Sequence, residues 1–125
     1  MPARAELPPW VYGQQQRAAP LRLTLMLEKP RRHGPWIEAR ARILAVIRQP
    51  SGSALQAGQR IGLRLPLPPP RQAGFVGPAP VRLPERGLRV DAWLAPLAGQ
   101  PGWYQPVAGG YSFGPSLEDQ REPGP

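Results

Sequence analysis

From Leu21 to Leu27 every second residue is leucine, with Arg22, Thr24 and Met26 between them. Strict alternation sends one set of side chains to a core face and the other outward, which marks a half-buried β-strand. The pattern returns between Trp36 and Arg48, where Ile37, Ala39, Ala41 and Ile43 share one face and Glu38, Arg40 and Arg42 the other. It blurs at Leu44-Ala45-Val46-Ile47, which fits either a bulge or an end buried on both faces. Helix is the competing reading of this segment, because Ala, Arg, Glu and Leu favour helices. Seven residues of alternation and recurring Ile and Val favour strand. A third strand is expected over 60–65 with Ile61, Leu63 and Leu65 inward. A fourth spans Leu88 to Leu94, with Leu88, Val90, Ala92 and Leu94 on one face.

Proline supplies the punctuation. The 125 residues include 20 Pro and 14 Gly, a content at which disorder becomes a serious reading. The periodic apolar residues and a 41% hydrophobic fraction argue against it. Pro cannot donate to a sheet ladder, so its clusters fall between strands. Loops are accordingly expected over 29–35, 50–59 and 71–80, a turn over 85–87 and a hairpin turn over 99–102. Shorter strands are expected at 81–83, 103–107 (an edge, because of Pro106) and 111–113. Upstream, Pro9 suits the first turn of a helix and Gln, Arg and Ala favour its interior, so 9–18 reads as a short helix that Gly13 weakens. Trp10 and Val11 would dock it on the sheet. The whole is an all-β, mainly antiparallel domain over 7–113: a small OB-like barrel or sandwich of five to seven short strands with one short N-terminal helix. Residues 1–6 read as a flexible N-terminus, and the polar 114–125 stretch as a disordered C-terminal tail.

Three stretches taken together carry a resemblance. They are Leu7-Pro8-Pro9-Trp10-Val11-Tyr12; Ala41-Arg42-Ile43-Leu44-Ala45-Val46 with Ala57-Gly58-Gln59-Arg60-Ile61 after it; and Ala108-Gly109-Gly110-Tyr111-Ser112-Phe113. The chain resembles small uncharacterised exported bacterial proteins and, more distantly, the netrin-like members of the OB-like barrels. That resemblance implies an exported β-barrel, periplasmic or extracellular, and no particular activity. Netrin-like domains usually carry disulfides, whereas this chain has no Cys.

The inventory of reactive groups is short. Without Cys there is no disulfide framework and no thiolate metal site. His33 is the only histidine and sits between Arg31-Arg32 and Gly34, which reads as a solvated loop residue. No serine stands in a nucleophile-elbow context, and no glycine-rich phosphate loop is present. We therefore expect no enzyme, no cofactor and no metal. No run approaches the about 20 apolar residues of a membrane-spanning helix. Ala3-Arg4-Ala5 has the small-x-small look of a signal-peptidase site.

Binding is where the sequence is informative. The formal net charge is +8, and Lys29 is the only lysine among 16 basic residues. A GC-rich genome produces this arginine bias without selection; a polyanion-binding surface would use it, since Arg suits phosphate and carboxylate. Arg22, Arg40, Arg42, Arg60, Arg64, Arg82 and Arg89 all fall opposite the apolar faces of their strands. Trp10, Trp36 and Trp93 read as core or rim packing; Trp93 also alternates away from Leu88, Val90 and Leu94, and an outward tryptophan beside Arg89 and Asp91 is the best hint of a contact surface. Glu38 and Asp91 are expected to meet Arg neighbours across the sheet. Two functions fit. One is a non-catalytic exported module that docks on another protein or an anionic envelope polymer, or serves as a small subunit of a larger assembly. The other is a cytoplasmic OB-like protein that binds single-stranded nucleic acid.

Overall fold

The computed structural model describes residues 7–66, 81 and 83–124. Helix α1 (Pro9–Ala18) is followed by β1 (Leu21–Leu27), β2 (Arg31–His33), β3 (Trp36–Arg48), β4 (Arg60–Pro66), β5 (Arg89–Pro96), β6 (Trp103–Pro106) and a 3₁₀ turn (Gly109–Tyr111). The strands run in the order β1-β5-β6-β4-β3, and β3 pairs back onto β1. The result is a closed five-stranded mixed barrel, with β2 added outside on β3. Closure removes sheet edges that would otherwise expose unpaired backbone groups. Four of the five barrel pairings are antiparallel, while β4 and β6 run parallel.

The alternating leucines do what their spacing dictates. Leu21, Leu23, Leu25 and Leu27 are all at most 2% exposed, and they pack with Ala41, Ile43, Ile61, Leu63, Ala92 and Leu94 inside the barrel. Strand β3 closes the barrel because it is long enough to pair twice, with β4 through 36–42 and with β1 through 41–48. Its register with β1 shifts at two places, so Leu44 and Ile47 are extra residues on β3. The blurred alternation at 44–47 is therefore a pair of bulges. Bulges bend a strand and add twist, which a five-stranded barrel needs from the strand that wraps it.

Several expectations change. Residues 31–33 form β2 rather than a loop, because β3 overhangs β1 and its free edge accepts a partner. Leu88 is 53% exposed, since β5 begins only at Arg89. The helix buries Tyr12, Gly13 and Gln16, and leaves Trp10 and Val11 half-covered. Residues 111–113 form the end of the 3₁₀ turn and a single bridge from Phe113 to Ala92. Val81 and Leu83 belong to no strand. Arg82, the flexible stretch expected at 1–6 and the loop expected at 71–80 lie outside the described residues.

The expected disorder of the C-terminal tail does not hold for residues 114–120. Buried Gln16 donates to the carbonyls of Tyr111 and Pro115 and accepts from the Leu117 N–H at 2.6 Å. Arg17 donates to the carbonyls of Glu118 and Gln120. The tail thus lies along α1, held by side chains about 100 residues upstream. No helix among the described residues is long and apolar enough to cross a membrane.

Candidate functional site

Barrel closure decides what becomes of the arginines. Outward residues of a closed sheet point in every direction, so the array splits between two walls. On the β1–β5 wall, Arg22 faces Trp93 across the ladder and Thr24 faces Asp91. Trp93 is wholly buried, which fits its reading as a packing residue and corrects the alternative of an exposed contact residue. It does point out of the barrel, but the C-terminal segment covers it and its indole N–H donates to Glu118 Oε1 at 3.1 Å. Arg22 pairs with Glu118 at 2.9 Å and Asp91 at 3.3 Å, over the Trp93 ring. Arg48, directly opposite Arg22 on β3, pairs with the other oxygen of Glu118 at 2.8 Å. Like charges facing each other across strands destabilise a sheet. Here one carboxylate bridges both. Burial pushes the Glu118 carboxyl up, but hydrogen bonds from Arg48 and Trp93 and the charges of Arg48 and Arg22 outweigh it, so its pKa lies below the ordinary range. Arg22 is thus part of a structural clasp.

The β3–β4 wall is different. Strand register places Glu38 beside Arg64, Arg40 beside Gly62 and Arg42 beside Arg60, all outward. Parallel pairing sets Trp103 of β6 next to Gly62. The indole lies on the glycine backbone so closely that a Cβ there would sit 2.4 Å from Trp103 Cε3. The guanidinium carbons of Arg40 and Arg64 lie 4.7 and 5.4 Å from the same ring centroid, within cation–π range. Sequence reasoning found Arg40, Arg42, Arg60 and Arg64, and the fold brings them together. It missed Trp103 as their organiser and Gly62 as the gap that admits it.

Two carboxylates share this wall. Glu38 accepts from Arg64 at 2.7 Å. Glu28 takes Arg60 in a bidentate pair, both contacts 2.7 Å. The hydrogen bond from Arg60 holds the Glu28 carboxyl below the ordinary range against desolvation, and the charges of Arg60, Arg42 and Arg40 add to the effect. Arg42 and Arg40 form no salt bridge among the described residues; Arg42 donates to the Gly58 carbonyl. Glu28, Lys29, Arg31, Arg32, Glu38, Arg40, Arg60 and Trp103 line an open groove of about 590 Å³ between this wall and β2. Arg89 stands apart on β5, but Met26 links it to Arg42: Arg60, Arg42, Met26 and Arg89 follow one another in register across four strands, all exposed. Among the described residues no cluster of three or more His, Asp or Glu is placed to hold a metal ion.

The fold is that of a closed mixed β-barrel, and its site is a cationic, aromatic-bearing wall. Comparison with protein-family models, with curated proteins and with solved structures finds no match to the chain.

Proposed function

We propose that this protein is a non-catalytic binding module that takes a linear polyanion along its β3–β4 wall. The observation that carries the proposal is the facing pair Arg42 and Arg60, with Arg40 and Arg64 beside it. The other facing pair, Arg22 and Arg48, is bridged by Glu118. On the open wall Glu28 is committed to Arg60, and Arg42 and Arg40 keep charge that an external phosphate, sulfate or carboxylate can neutralise. Trp103 holds two guanidiniums in place, so less of their freedom is lost on binding. An exported module would meet such a ligand as an envelope polymer, and a cytoplasmic one as single-stranded nucleic acid; the groove chemistry is common to both.

The test is binding against salt. If about four phosphates are neutralised, the logarithm of affinity for an oligonucleotide should fall with a slope of about −3 against the logarithm of salt. Arg40→Ala and Arg42→Ala should each weaken binding and lower that slope by roughly 0.7, whereas an absence of binding at low salt to every polyanion tried overturns the reading.

A further inference from the structure

We infer that the polyanion is a single-stranded nucleic acid, and that Trp36 and His33 form a platform for one of its bases. The inference rests on the groove just proposed. Strand β2 returns to β3 through a two-residue turn in which Gly34 has φ +61° and Pro35 follows. A glycine in the first position is what such hairpin turns favour. The turn makes His33 and Trp36 a directly facing cross-strand pair at the tip of the hairpin. Both are exposed, Trp36 by 38%. By strand alternation they share the outward face of Glu38 and Arg40.

The two tryptophans of this wall have different parts. Trp103 is pressed onto Gly62 and carries Arg40 and Arg64. It is a positioning residue, with its ring already engaged. Trp36 has an open surface, and the Arg64 guanidinium carbon lies 5.9 Å from its ring centroid. Arg64 is itself held by Glu38, and the cations free for phosphate among the described residues are Arg40 and Arg42 on the same wall. An exposed indole on an arginine-bearing wall is the arrangement that single-strand binders use: the cations take phosphate and the ring takes the flat face of a base. A polymer of phosphate alone has nothing to place on the ring. A duplex keeps its bases stacked inside and cannot offer one to a hairpin tip without unpairing it.

The experiment compares three probes at one salt concentration: oligothymidylate, an abasic strand of the same length, and inorganic polyphosphate. Each is titrated against the full chain and against Trp36→Ala and Trp36→Phe, with thermal melts to confirm that the variants fold. Trp36→Ala should weaken oligothymidylate binding by about 5- to 150-fold, the range expected for one lost base stack. Its effect on the other two probes should stay within about twofold, since no base is involved. Trp36→Phe should recover most of the loss, and the salt slope should not change. Equal affinity for all three probes, or an equal loss on all three in Trp36→Ala, overturns the platform and leaves the groove standing. No binding to any of them overturns both.

Discussion

Replacing Gly13 by alanine tests how the C-terminal segment is held. Gly13 lies inside α1, where alanine is intrinsically better by about 1 kcal/mol. On propensity alone the substitution stabilises. The structure reverses the sign. A Cβ on Gly13 would stand 2.2 Å from the Leu117 carbonyl oxygen and 3.2 Å from its carbon. Both are backbone atoms and cannot swing aside, so the tail must retreat by more than 1 Å to reach ordinary contact at 3.4 Å. That movement opens the 2.6 Å bond from the Leu117 N–H to Gln16 and the 3.3 Å bond from Gln16 to Pro115. Each lost bond costs about 1 kcal/mol, and leaving buried Gln16 partly unsatisfied adds about 1–3 kcal/mol. Set against the helix gain, the net destabilisation is about 2–4 kcal/mol. For a domain of this size that lowers Tm by roughly 10 °C. Thermal melts followed by circular dichroism measure it, with exposed Gln14→Ala as a control expected within about 0.5 kcal/mol of the parent. A Tm for Gly13→Ala equal to or above the parent's refutes the close approach of helix and tail.

Two further perturbations probe the two walls. Glu118→Gln should cost about 1–2 kcal/mol at neutral pH by removing the charge that bridges Arg22 and Arg48. Because the folded pKa of Glu118 is depressed, its contribution is fully present above the ordinary value of 4.5 and is lost as pH falls through the folded value. The stability gap between parent and Glu118→Gln, followed by urea unfolding, should therefore be flat above about pH 5.5 and close below pH 4.5. Gly62→Ala should displace Trp103, destabilise by about 1–3 kcal/mol and weaken polyanion binding; a variant that binds as tightly as the parent removes Trp103 as organiser of Arg40 and Arg64.

The barrel was legible because its core strands alternate. Leu21 to Leu27 and Ile37 to Ile43 need no tertiary knowledge to be read as strands with a buried face. The break at 44–47 was legible as a break for the same reason, since an inserted residue spoils a period of two, but alternation alone left a bulge and an end buried on both faces equally open. Strand β2 carries no such signal. Arg31-Arg32-His33 has no apolar face and pairs only because β3 extends beyond β1; the Gly34-Pro35 turn before Trp36 is the local clue. Trp93 shows a different limit. Alternation says that a side chain points out of the barrel, not whether something lies over it. Its cover comes from a polar segment whose anchors, Gln16, Arg17, Arg22 and Arg48, are 70 to 103 residues away in sequence. Leu88 fails at the other end of the same rule: the period places it inward, but the strand starts one residue later.

The same local problem is solved in two ways on this barrel. Strand β3 carries one arginine at each place where its neighbour also presents one, Arg48 against Arg22 and Arg42 against Arg60. At the first the protein brings its own anion: Glu118, only 17% exposed, bridges both guanidiniums from a segment that folds back over Trp93. At the second its anion pairs with one arginine and does not bridge the two. Glu28 satisfies Arg60 from the solvent side and leaves Arg42 to a backbone carbonyl. If facing arginines were only the residue of a genome rich in arginine codons, both pairs would be expected to find the cheapest local relief, a cross-strand Glu or Asp. One pair has been enclosed and made structural, while the other has been kept open beside a groove and two more arginines held on an indole. The first shows how much charge an anion can stabilise when it reaches such a pair. Under the proposed function, the second is the place where an anion from outside the chain would bind.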